Sequence, residues 1–353
     1  MNSSPLVLRA GARAAAVLTD RGLQPDAFST LVGASGGPKW LALARMDAVL
    51  ARRFLAPRTT PLAMVGSSIG SFRHACLAQI DPQAALARFE ESYLEQVYET
   101  APSPELVTAE SVRILKAVLA DDGIGEVLAN PLLHTHIIAV RSRTLMRGRR
   151  RWTTAAGLAA AATSNAVSRG LLGQFFERIV FHSGEQPVLE FGGIPTTTVS
   201  LTPRNMIDAL AASGSVPLVM APIIDPHDAP RGMYRDGGIV DYHFDFAFRR
   251  PPGLVLYPHF FDRITPGWFD KALAWRRPSR QALADTVLLA PSPAFIAKLP
   301  GGHVPDRKDF QSMANHERLK QWKQVLAATE ALADDLESLM DGPIDPSRIL
   351  EFP

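Results

Sequence analysis

The 353-residue sequence contains one cysteine, Cys76. A single thiol excludes an intramolecular disulfide framework and any zinc site built from several cysteines. A strong charge of either sign is also missing: 37 Lys and Arg against 35 Asp and Glu leave a formal charge of +2. Duplex nucleic acid favours a clustered basic surface, so no nucleic-acid partner is expected. No apolar run reaches the roughly 20 residues of a membrane span. The longest uncharged one, Ala209 to Ile224, is broken by Ser213, Gly214, Ser215, Pro217 and Pro222. The opening Met-Asn-Ser-Ser-Pro-Leu lacks the basic region and apolar core of a secretory leader. These absences predict a soluble, cytoplasmic protein that can still meet a lipid surface peripherally. Internal repeats and long low-complexity linkers are missing too. What is present is globular: 46% hydrophobic and 20% charged residues do not fit a disordered chain.

The length suits one large α/β domain with insertions, or two domains. A short helix is expected over 10–21. Phe28 to Val32 is a strand candidate that runs into Gly33-Ala34-Ser35-Gly36-Gly37-Pro38-Lys39-Trp40, with a helical pattern after it. Pro61 to Val65 is a second strand candidate. It ends at Gly66-Ser67-Ser68-Ile69-Gly70 and is followed by a helical stretch, Ser71 to Gln79. Two strand–glycine turn–helix units in succession predict a mainly parallel sheet between helices. The segment 81–129 is helical in pattern. Further strands are expected at Ile137–Arg143, Arg178–His182, Val188–Phe191, Thr196–Leu201, Leu254–Tyr257 and Thr286–Ala290, and near Met233. The spacing of Phe310, Met313, Leu319, Trp322, Leu326, Leu332, Leu336 and Leu339 predicts one long amphipathic helix over 308–341, packed on the sheet. A basic cluster, Arg147 to Arg151, fits a solvated turn or, alternatively, a contact for anionic headgroups.

The pattern Gly-x-Ser-x-Gly occurs twice, at 33–37 and 66–70. Both copies lie between a predicted strand and a predicted helix, the setting of a nucleophile elbow. There a serine stands on a tight turn and the helix N-terminus favours developing negative charge. The first copy has extra small residues whose backbone N–H groups suit an oxyanion cradle. The second follows a plain apolar strand. Ser68 is therefore the candidate nucleophile, and Gly36 and Gly37 the candidate oxyanion donors. A phosphate-binding P-loop does not fit the first copy, because Pro38 separates Gly37 from Lys39 and no Ser or Thr follows. The candidate base is Asp236, at the end of a short strand before Gly237 and Gly238. A carboxylate placed there reaches the carboxyl edge of the sheet, where ligands of open α/β sheets bind.

These elements, in this order, resemble the patatin-like phospholipases. The resemblance rests on Gly36-Gly37-x-Lys39, Gly66-x-Ser68-x-Gly70 and Asp236-Gly237-Gly238. The block Ala211-Ala212-Ser213-Gly214-Ser215-Val216-Pro217 also resembles the family's Ala-Ser-x-x-x-Pro segment. The resemblance covers about 30–240. It implies a three-layer α/β/α core and a Ser68–Asp236 dyad without histidine, acting on lipid or other ester substrates with no cofactor and no metal. It also implies oxyanion donors at Gly36, Gly37 and Ile69, with Lys39, Gly66, Gly70, Gly237 and Gly238 in support. Lys39 stands where the family usually has arginine, and two glycines stand where it usually has three. The core is expected over 1–250, with 251–353 completing or covering it as part of one compact domain.

Three other readings remain open from the residues. One is a Ser-His-Asp triad using His243 or His259. Another is an acyltransferase or thioesterase on the same dyad. The third is a catalytically silent lipid-binding or interaction protein. His134-Thr135-His136 places two imidazoles on one strand face, a weak metal signal.

Overall fold

The computed structural model of the chain describes residues 4–148, 150–184 and 188–353. Thirteen strands are found among them: β1 Leu6–Ala10, β2 Phe28–Gly33, β3 Leu62–Ser67, β4 Leu133–Ser142, β5 Phe176–His182, β6 Glu190–Phe191, β7 Thr196–Ser200, β8 Ile223–Ile224, β9 Met233–Asp236, β10 Phe248–Arg249, β11 Leu254–Pro258, β12 Thr286–Pro291 and β13 Ile349–Leu350. Eleven of them form one sheet, with the path β13-β1-β12-β11-β2-β3-β4-β5-β7 and with β9 joined to β4 and β8. The centre, β12-β11-β2-β3-β4, is parallel throughout. The flanks add antiparallel pairs, β1 with β12 and β4 with β5. β2, β3, β11 and β12 are buried along their whole length, as strands covered on both faces must be.

Helices cover both faces, giving a three-layer α/β/α fold. Neighbours along a strand point to opposite faces. Ala139 packs into the larger core and Val140 into a second cluster with Leu158 and Ala161 of helix Arg151–Val167. No helix among the described residues is long and apolar enough to cross a membrane.

Three features differ from the sequence-based expectation. The first strand, Leu6–Ala10, pairs with β12, so a segment without a motif enters the sheet. The helical stretch 81–129 is three helices, Pro82–Leu94, Pro104–Leu119 and Gly123–Ala129. Two of them start at proline behind a side-chain cap, from Asp81 and Ser103.

The expected single helix over 308–341 is also three pieces: Asp309–Ser312, Asn315–Ala328 and Glu330–Leu339. At the first break Ala314 is extended (φ −64°, ψ 149°). There the buried Asp309 carboxylate is committed to the Asp306 N–H and the Trp322 indole, each at 2.9 Å. At the second break the Thr329 hydroxyl donates to the Leu326 carbonyl at 2.7 Å, competing with the helix ladder. The segment 251–353 supplies β11, β12 and β13, and β11 and β12 lie between β1 and β2 inside the sheet. Arg147 ends a 3₁₀ turn and Arg151 opens a helix; Arg149 of that basic cluster lies outside the described residues.

One buried ion pair ties the helix after β3 to the helical layer. Arg73 donates from Nε and Nη2 to the two Asp47 oxygens at 2.6 and 2.5 Å, with both side chains at most 2% exposed. Removing one partner of such a pair strands the other charge and costs about 3–5 kcal/mol. Asp47→Ala is expected to lower unfolding free energy by that amount in urea titrations. A loss under 1 kcal/mol would show that water replaces the carboxylate.

Candidate active site

The length of β4 sets the geometry. One edge of this strand pairs with β5, from His136 to Ser142. The other edge is shared. β3 occupies it from Leu133 to Ile138, and β9 takes over at Ala139. β3 runs parallel to β4 and β9 runs antiparallel, so both end at the same point. Ser68 directly follows β3, and Asp236 is the last residue of β9. They meet there: Ser68 Oγ donates to Asp236 Oδ2 at 2.8 Å.

Ser68 sits at φ 54°, ψ −129°, a backbone region that L-residues rarely adopt. The helix Ile69–Leu77 begins at the next residue, so the hydroxyl stands on a sharp strand-to-helix turn. Gly70 permits this turn. A Cβ there would lie 2.1 Å from the Gly33 carbonyl oxygen, so the helix could not approach β2. Gly66 has the same role on the other side, facing the Ser71 backbone. Ser213 locks the turn from the next layer. Its Oγ accepts the Ser68 N–H at 2.8 Å and donates to the Ile138 carbonyl at 2.6 Å. Ser71 Oγ donates to the Ser68 carbonyl at 2.6 Å.

Asp236 is held as firmly. Its N–H donates to the Ser215 carbonyl at 3.0 Å, and its Oδ1 accepts the Gly238 N–H at 2.7 Å. Gly237 and Gly238 leave room for this turn beside Ile138 and Ser35. Asp241, four residues beyond the glycine pair's start, anchors it in a buried fork from Arg178 (2.6 and 3.0 Å). Ser68 and Asp236 are each 5% exposed, so the dyad is largely withdrawn from water. Burial pushes the Asp236 carboxyl above its ordinary range. The nearby Arg307 charge, the Gly238 and Ser68 hydrogen bonds and the Lys271 charge pull it back down.

The first glycine element joins the same point. Ser35 Oγ donates to Ser67 Oγ at 2.9 Å, and the Ser35 N–H donates to the Tyr242 carbonyl at 2.9 Å. Gly37 has φ 56° and starts a 3₁₀ turn through Leu43. Gly36 precedes and Gly37 opens that 3₁₀ turn, and Ile69 opens the helix after Ser68, positions where a backbone N–H has no partner within its own helix. Ser35→Ala removes the bond to Ser67 and no contact to Asp236. It is expected to lower kcat/KM less than tenfold, in keeping with about 1 kcal/mol for a neutral hydrogen bond. A loss comparable to that of Ser68→Ala would make Ser35 the nucleophile.

Two cations near the dyad were not legible in the sequence. Arg307 packs on Gly37, its Nε 3.2 Å from where a Cβ would stand. Lys271 Nζ lies 4.0 Å from the Tyr242 ring centroid. Burial, with Lys39 and Arg307 nearby, pulls Lys271 down to about 8. Lys39 does not reach the dyad: its ammonium is ion-paired to Asp306.

Among the described residues no histidine is hydrogen-bonded to Ser68 or Asp236. His243 Nδ1 accepts the Thr265 N–H at 3.1 Å and His259 Nδ1 accepts the Phe261 N–H at 2.9 Å. Burial pushes both imidazoles down, His259 to about 3. The Ser-His-Asp alternative therefore has no geometric support. His136 is buried beside His182, ring centroids 6.4 Å apart, and no group of three potential metal ligands occurs among the described residues. The Cys76 thiol is buried and pushed far up by desolvation, which leaves it inert.

No protein-family model matches this chain. No curated protein matches it either.

Proposed function

We propose that this protein is a serine acyl hydrolase that cleaves lipid or other carboxylic esters through an acyl-enzyme on Ser68. The observation that carries this reading is the 2.8 Å hydrogen bond from Ser68 Oγ to Asp236, on a serine at φ 54°. Asp236 accepts the hydroxyl proton as Oγ attacks the ester carbonyl. The tetrahedral oxyanion then lies toward the N–H groups of Gly36, Gly37 and Ile69; loss of one such donor typically costs about 10²–10³ in rate. The protonated carboxyl passes its proton to the departing alkoxide, and the acyl group stays on Oγ. A water molecule, deprotonated by Asp236, attacks this second ester, and the same proton returns to Ser68 as the carboxylic acid leaves. The raised basicity of Asp236 supports a carboxylate acting directly, without imidazole. The largely buried site supports strong electrostatics and requires a local opening for a bulky ester.

A fluorophosphonate probe with peptide mapping tests the reading. Modification of Ser68 is expected. Modification of Ser35, or none, contradicts it.

A further inference from the structure

A second polar centre lies beyond the dyad, where β4 pairs with β9. A cavity of about 370 Å³ is lined by Arg141, Ser142, Arg147, Asp225, Arg231 and Met233. Arg141 forms its wall: its Nε and Nη2 bind Glu177, and Gly232 packs on its methylene stem. Asp225 is turned inward to its own loop, accepting the Gly232 N–H at 2.6 Å. Among the described residues the side chains of Arg147 and Arg231 have no hydrogen-bond or ion-pair partner. The Ser142 hydroxyl is buried and also unpartnered.

Arg235 adjoins the cavity through Met233. It opposes Val140 across the antiparallel pair, so Arg235, Met233 and Ser142 share one face. Its Nη2 rests on the Met233 sulfur at 3.6 Å, and Met233 lines the cavity. Arg235 is 4% exposed, and its Nε and Nη1 have no partner. Burial alone pulls this guanidinium down to about 10, with no carboxylate opposing the shift. A buried charge without a counter-ion is a large standing cost. Three guanidiniums line the cavity, Arg141, Arg147 and Arg231, against the two carboxylates Glu177 and Asp225 bound beside them, and the buried Arg235 adjoins through Met233.

We propose that this cavity binds a phosphate group, carried by a small phosphate ester or by a lipid headgroup. Arg147 and Arg231 provide planar guanidinium forks at the rim, the geometry that matches phosphate oxygens. Ser142 provides a hydroxyl donor, and the buried Arg235 beside Met233 adds positive potential at low dielectric. The volume holds a phosphate with a small carrier. Met233 stands three residues before Asp236, so the site lies about 10 Å along β9 from the dyad. The inference does not depend on the Ser68 chemistry.

Titration calorimetry with glycerol 3-phosphate, and co-sedimentation with phosphatidylcholine vesicles with or without phosphatidate, test it. Binding in the first assay identifies a free phosphate ester as ligand. Phosphatidate-dependent binding in the second alone identifies a headgroup. The double variant Arg147→Gln/Arg231→Gln alters two partnerless side chains and is expected to weaken binding tenfold or more. Arg235→Met is expected to weaken it similarly while keeping or raising Tm, because an unpaired buried charge is removed. The proposal is overturned if neither probe binds, or if either variant binds with unchanged affinity.

Discussion

Alanine at position 68 is expected to lower kcat/KM for ester hydrolysis by about 10⁴-fold or more, the scale seen when a covalent nucleophile is removed. The fold should survive, because among the described residues the Ser68 side chain makes one hydrogen bond, to Asp236. A second variant separates chemistry from strain. At φ 54°, ψ −129° any β-carbon is unfavourable, so Ser68→Gly should be as inactive as Ser68→Ala but about 1–2 kcal/mol more stable. Urea titrations of the two variants decide this. A less stable glycine variant would mean that the elbow is not strained in solution. Activity within tenfold of wild type for either variant would place the nucleophile elsewhere.

Asp236→Asn carries the second large effect. The amide preserves shape but cannot take the Ser68 proton, and a loss of about 10⁴-fold in kcat is expected, as for other tautomer-fixing or base carboxylates. The pH profile gives an independent reading. The reaction needs the ionised carboxylate, so kcat/KM falls as pH drops through the Asp236 pKa. Burial raises that pKa, so the acid limb should stand above the ordinary aspartate value of 3.8. Among the groups pulling it down, the Arg307 charge acts most strongly, ahead of the Gly238 and Ser68 hydrogen bonds and Lys271. Arg307→Gln should therefore move the acid limb to higher pH. An unchanged limb would show that the titrating base is not Asp236.

The centre of the site was legible because glycine patterns mark sharp turns locally. Gly33 to Gly37 and Gly66 to Gly70 each follow a strand, and the paired strands β2 and β3 bring both turns to one edge. Asp236 was legible for the same reason, through the glycines after it. The alignment that makes the dyad was not. It depends on β4 running from Leu133 to Ser142, and the apolar pattern suggested only Ile137 to Arg143, because His134 and Thr135 hide the start of the strand. β1 was not legible because what makes it a strand is its pairing with β12, some 280 positions away. The break at Ala314 arises from Asp309 bonding to Asp306 and Trp322, contacts that no periodicity encodes. Arg307, Lys271 and the unpaired Arg235 carry no motif, and their meaning comes only from what does or does not face them in space.

The central claim is that Ser68 becomes acylated with Asp236 as its base. The most direct measurement is intact mass after mixing the protein with p-nitrophenyl butyrate and quenching in acid, followed by peptide mapping. A single butyryl adduct on Ser68 is predicted, absent in Ser68→Ala and strongly slowed in Asp236→Asn. An adduct on Ser35, or one forming at the wild-type rate without Asp236, contradicts the account.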